Sequence, residues 1–158
     1  MKDKKTFVLV IASLIILVFG GLLFKGVGGS ATKIGSGKVL AVIHKSPTCG
    51  CCLGHKGYLE GEGFSTEVVV ENDISSFKAK YNIPYEYQSC HTAEIGGYFV
   101  EGHVPVEAIN KLLTEKPDID GISLPGMPAG SPGMPGVKKE EFVVYALKDG
   151  KASEFMRL

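Results

Sequence analysis

Hydrophobic positions along the chain change period several times, and each change marks an element. Residues 6–24, TFVLVIASLIILVFGGLLF, carry no charge. In a helix rising ~1.5 Å per residue, that run matches the ~30 Å hydrocarbon core of a bilayer. Lys2, Lys4 and Lys5 precede it, and the positive-inside tendency then keeps the N-terminus in the cytoplasm. Residues 1–25 are thus read as a single-pass anchor of the cytoplasmic membrane, with the domain on its periplasmic or extracellular side. A signal peptide is the alternative, for which Gly28–Ala31 offers a weak small-residue cleavage site. Both readings export the domain. Residues 26–37, GVGGSATKIGSG, are small and polar and predict a flexible linker.

From residue 38 to residue 158 the pattern predicts one domain of alternating elements. KVLAVIHK is a short β-branched run, a buried strand. A helix over CCLGHKGYLEGEG comes next, then a strand over STEVVVEN. DISSFKAKYNI opens on Asp73 as an N-cap and stops before Pro84, a second helix. CHTAEI, Gly96-Gly97 and YFVEG predict a hairpin with a tight glycine turn. PVEAINKLLTEK places Val106, Ile109, Leu112 and Leu113 on one face of a third helix begun at Pro105. EFVVYAL, Asp149-Gly150 and KASEFM predict a closing hairpin. Strand, cysteine-led helix, strand, helix, hairpin, helix is the order of a thioredoxin-like α/β domain, a mixed central sheet with flanking helices.

Charge adds one exclusion. The chain has 17 basic and 17 acidic residues, and its first 25 hold four lysines against one aspartate, leaving −3 for the rest. No basic stripe of the kind nucleic-acid binding needs is present.

Three of the four cysteines fall in SPTCGCC, as Cys49, Cys51 and Cys52. Their predicted place at a helix N-terminus favours thiolate, through unpaired N–H groups and the positive end of the macrodipole. Thiolate both attacks disulfides and ligates metals. The fourth, Cys90, is followed by His91 in the segment entering the hairpin, where a thioredoxin-like redox enzyme carries a proline. Four thiols and an imidazole exceed what a two-thiol enzyme uses, which tilts the reading toward metal. Soft donors select Cu(I), zinc or iron–sulfur clusters. C-x-C-C with a lone Cys-His is poor zinc spacing, whereas adjacent thiolates suit bridging in a polynuclear Cu(I) cluster. PGMP occurs twice, placing Met127 and Met134 as thioether candidates or as packing in a Pro/Gly loop. His44 is read as a solvated or core imidazole and His103 as structural, with a place near the cysteines the alternative for both, and His55 is read as an exposed surface residue.

HKSPTCGCC, SCHTAEIGGYFVEGHVP and LPGMPAGSPGMPG together resemble the small exported metal-binding proteins of the CopG type, found among copper-resistance systems. The resemblance covers roughly residues 38–150. It implies a thioredoxin-like domain outside the cytoplasmic membrane that binds copper, with Cys49, Cys51, Cys52, Cys90 and His91 as ligands. Leu53 stands where the family has a glycine, with Gly54 one later, and His44 stands at a usually aromatic position. The expected function is extracytoplasmic copper binding for resistance or handling, with a copper-trafficking protein as partner. The alternative is a membrane-tethered thiol–disulfide oxidoreductase using Cys49 and Cys52. It needs only those two cysteines, while a metal site also needs Cys90.

Overall fold

The computed structural model describes residues 37–158, so the anchor expected over 1–25 and nearly all of the linker over 26–37 lie outside the described residues. Gly37–Leu158 forms one compact unit. Among the described residues no helix is long and apolar enough to cross a membrane.

The order is β1 (Leu40–Lys45), α1 (Cys51–Gly61), β2 (Ser65–Val70), α2 (Ile74–Lys80), β3 (His91–Ile95), β4 (Tyr98–Glu101), α3 (Val106–Glu115), β5 (Gly121–Ser123), β6 (Val143–Lys148) and β7 (Lys151–Arg157). The strands form one mixed sheet in the order β2-β1-β3-β4-β5-β6-β7. β1 runs parallel to β2 and antiparallel to β3, and β4 runs parallel to β5.

Local chemistry explains most boundaries. The Asp73 side chain accepts from the backbone N–H groups of Ser75 and Ser76 and starts α2. Pro105 takes the cap position of α3, and Lys116 closes that helix in the left-handed region. Along α3, Val106, Ala108, Ile109 and Leu112 are buried, the face that the 3.6-residue spacing marks out.

The main core joins that face to Leu59 of α1, Ala41 and Ile43 of β1, Ala93 and Ile95 of β3, Val100, Ile122 and Val144. Phe99 precedes Val100 and therefore points to the other side of the sheet, where it packs with Ile83 and Leu147. β5 was not expected from the sequence, because three residues are too short to show a period. It forms because Gly121 lies directly against β4: a Cβ there would meet Phe99 O at 2.2 Å.

Candidate metal centre

Pairing between β1 and β3 builds the site. Lys45, the last residue of β1, pairs with His91, the first of β3, so the loop after β1 meets the segment before β3. That loop carries Cys49 and runs into α1, whose first turn holds Cys51 and Cys52. A disulfide joins Cys49 to Cys52, with Cα atoms 5.7 Å apart, inside the usual range for such bridges. Cys51 and Cys90 are free, with their Sγ atoms 3.9 Å apart. Cys90 Sγ also lies 3.8 Å from Cys52 Sγ, and Cys51 Sγ lies 3.7 Å from Cys49 Sγ.

Cys90 is the meeting point of two groups. The four cysteines form one, with all their sulfurs within 4.8 Å of one another; Cys90, His91 and His103 form the other. His91 Nδ1 lies 3.2 Å from Cys90 Sγ, and His103 Nε2 lies 3.0 Å from it.

Hydrogen bonds define which ring nitrogens carry protons. A carbonyl oxygen only accepts, so the 2.7 Å contact between His103 Nδ1 and Pro132 O places the proton on Nδ1. His103 Nε2 then presents a lone pair to Cys90. His55 Nε2 donates to Val104 O at 3.1 Å, so its Nδ1 is bare and accepts from His91 Nε2 at 2.9 Å. His91 Nδ1 is left bare and also faces Cys90. One thiol proton satisfies at most one of these two lone pairs. The arrangement presents excess electron pairs to a cation, and its sulfur-rich donor set fits a soft metal such as Cu(I).

Burial keeps these imidazoles neutral. Desolvation lowers the His55 pKa to about 4, drives that of His91 well below the ordinary value, and lowers that of His103. Desolvation, and then Cys51 beside it, push the Cys90 thiol up to about 12. A metal ion held by Cys90 would therefore have to displace its proton.

These shifts set a pH profile of stability. The folded histidines stay neutral where unfolded ones, titrating near ~6.5, take up a proton. Their contribution is complete above that value and is lost as pH falls below it; His55, with its pKa held at about 4, loses its share between ~6.5 and that value. Urea unfolding of the metal-free protein should show a lower midpoint at pH 5 than at pH 7. A flat profile across that interval would contradict the buried, neutral histidines.

His55 corrects the sequence reading, which placed it on the surface: it is fully buried. Cys52, His55 and Leu59 are the buried residues of α1, and their 3- and 4-residue spacing is the signal that marks this face. His103, read as structural, is one of the Cys90, His91 and His103 group. His44 instead hydrogen-bonds Glu71 Oε1 at 2.7 Å and stacks on Phe77. Met127 is exposed and Met134 half-buried on the Pro/Gly segment. That segment reaches the centre through Pro132 O on His103 and through Gly133, which packs on Gly54; a Cβ on Gly54 would meet Gly133 O at 2.5 Å. Gly54 thus supplies the close approach, while the neighbouring Leu53 is exposed.

Comparison with known proteins adds an independent line. Residues 87–134 match the family described as "Protein of unknown function, DUF411". No curated protein matched the sequence. Two solved structures, Forms 2 and 1 of a copper resistance protein copG, are each 41% identical to this chain, with TM-scores of 0.71 and 0.70 respectively. Each alignment covers 77% of this chain and 98% of the other.

Proposed function

The chain belongs to the CopG family of copper resistance proteins, and from that premise we propose that it binds Cu(I) outside the cytoplasm. The observation that carries the proposal is Cys90, with three cysteine sulfurs on one side and two bare imidazole nitrogens on the other. Reduction of the Cys49–Cys52 disulfide by a dithiol, with two electrons and two protons, frees the remaining two thiols. Cys49, Cys51, Cys52 and Cys90 then serve as thiolates, with His91 and His103 completing the donor set. Adjacent sulfurs favour bridging and hence more than one copper ion. Met134, two residues from Pro132, is a further thioether candidate, with Met127 in the same loop. The order β2-β1-β3-β4 with α1, α2 and α3 supports a thioredoxin-like core.

Anaerobic native mass spectrometry of the reduced protein, loaded with Cu(I) under chelator competition, tests the reading. Two or more retained ions, lost in Cys51→Ser, are expected. No retained copper would refute it.

The disulfide favours one second reading, a thiol–disulfide oxidoreductase working through Cys49 and Cys52. That activity requires neither Cys90 nor the histidines.

The proposal includes the location read from residues 1–25, supported by their charge pattern, and a copper-trafficking partner. Most of the protein should stay in the membrane fraction after osmotic shock. Release into the soluble fraction would exclude an uncleaved anchor.

A further inference from the structure

His91 and His103 present their lone pairs to Cys90 by different means. His103 is oriented by the backbone, through Nδ1–H to Pro132 O. His91 is oriented by a side chain, because its Nε2–H donates to His55 Nδ1. An imidazole can carry its proton on either nitrogen, so the partner on the far side decides which nitrogen faces the metal. We propose that His55 is the positioning residue of the centre: it fixes the tautomer of His91 and so keeps His91 Nδ1 bare toward Cys90.

The chain Val104 O, His55, His91, Cys90 runs in one direction. Val104 O accepts from His55 Nε2. That leaves His55 Nδ1 able only to accept, which obliges His91 to hold its proton on Nε2. The reverse order would set a bare His55 Nε2 against a carbonyl oxygen, two acceptors 3.1 Å apart. His55 and His91 are both fully buried, so each ring relies on the other and on Val104 O rather than on bulk solvent. Val104 is itself held in place: one helical turn after His55, the Tyr58 hydroxyl accepts from Val106 N at 2.9 Å. Two polar side chains on one face of α1 therefore clamp the segment 104–106, and the clamp gives the His55 ring its orientation. Outer partners of this kind commonly decide the affinity of a metal site.

The inference rests on the metal-binding reading of His91, but its test does not depend on copper. In the metal-free full chain, 15N-labelled at histidine, NMR distinguishes bare from protonated ring nitrogens. Wild-type His91 and His55 should both carry the proton on Nε2, and His103 on Nδ1. A wild-type His91 protonated on Nδ1 would overturn the proposal without any substitution. In His55→Phe, which keeps a ring but offers no acceptor, His91 should lose its single tautomer while His103 keeps its own. His55→Asn, whose carbonyl oxygen stands near the place of Nδ1, should restore the His91 tautomer. Cu(I) affinity should then fall roughly 10- to 100-fold in the Phe variant and recover in the Asn variant. An unchanged His91 spectrum in His55→Phe would reduce His55 to packing, whether or not copper binds. Altered His91 tautomers in a protein that never retains copper would refute the proposed function and leave the positioning role standing.

Discussion

Cys90→Ser should all but abolish copper retention while leaving the fold intact. Serine has nearly the shape of cysteine, and the half-buried position tolerates a hydroxyl that can still donate to His91 Nδ1 or His103 Nε2. Its oxygen is a hard donor, however, and a poor ligand for Cu(I). Cys90 is also the one sulfur common to both groups of donors. Replacing it separates Cys49, Cys51 and Cys52 from His91 and His103. The loss should exceed the roughly 10- to 100-fold cost of removing an outer partner such as His55. Chelator competition reads the affinity, and native mass spectrometry reads the number of ions. Unchanged affinity and stoichiometry would sink the shared centre. A variant that still forms and exchanges the Cys49–Cys52 disulfide at the wild-type rate, in a chain that binds no copper, would transfer the function to the two-thiol reading.

How much of this was legible in the sequence depends on whether the physics is local. The β3–β4 hairpin, the Asp73 cap and the apolar face of α3 follow from turn chemistry, capping and period, and each lies where those rules put it. The cysteine and Cys90-His91 clusters stood out because their residue types are chemically unusual at that spacing. β5 was hidden because its strand character comes wholly from pairing with β4 and β6. His55 was hidden because α1 is rich in glycine, which blurs the contrast between its faces, and one polar residue on a buried stripe reads as solvated. His103 shows its role only once the Pro/Gly segment folds back to accept from its Nδ1. Such partners lie about thirty or more residues apart, and no local rule connects them.

Glu101→Gln should destabilise the metal-free protein by about 3–5 kcal/mol, a large share of the ~5–15 kcal/mol that holds a typical domain together. Nothing in SSFKAK or YFVEG separates a buried charge from a solvated one, yet Lys78 and Glu101 form an ion pair that is almost wholly shielded from water. Thr92, paired with Glu101 across β3 and β4, also donates to the carboxylate, and Ser89 N donates to it at 2.6 Å. Burial pushes the Glu101 carboxyl above its ordinary pKa, and Lys78 pulls it back. Desolvation works against the attraction, and a buried ion pair is in general weak evidence of stability. Breaking it is costly for a different reason: the glutamine variant leaves the Lys78 ammonium buried without a counter-charge. Lys78→Met in the Glu101→Gln background should therefore recover much of the loss, and a double-mutant cycle by urea unfolding measures the recovery. A single variant within about 1 kcal/mol of wild type would show that Lys78 reaches water and carries no such penalty. What the network secures is position, because Ser89 immediately precedes Cys90. With Ser89 N bound to Glu101, the backbone immediately before Cys90 is anchored to β4 by one member of this buried pair.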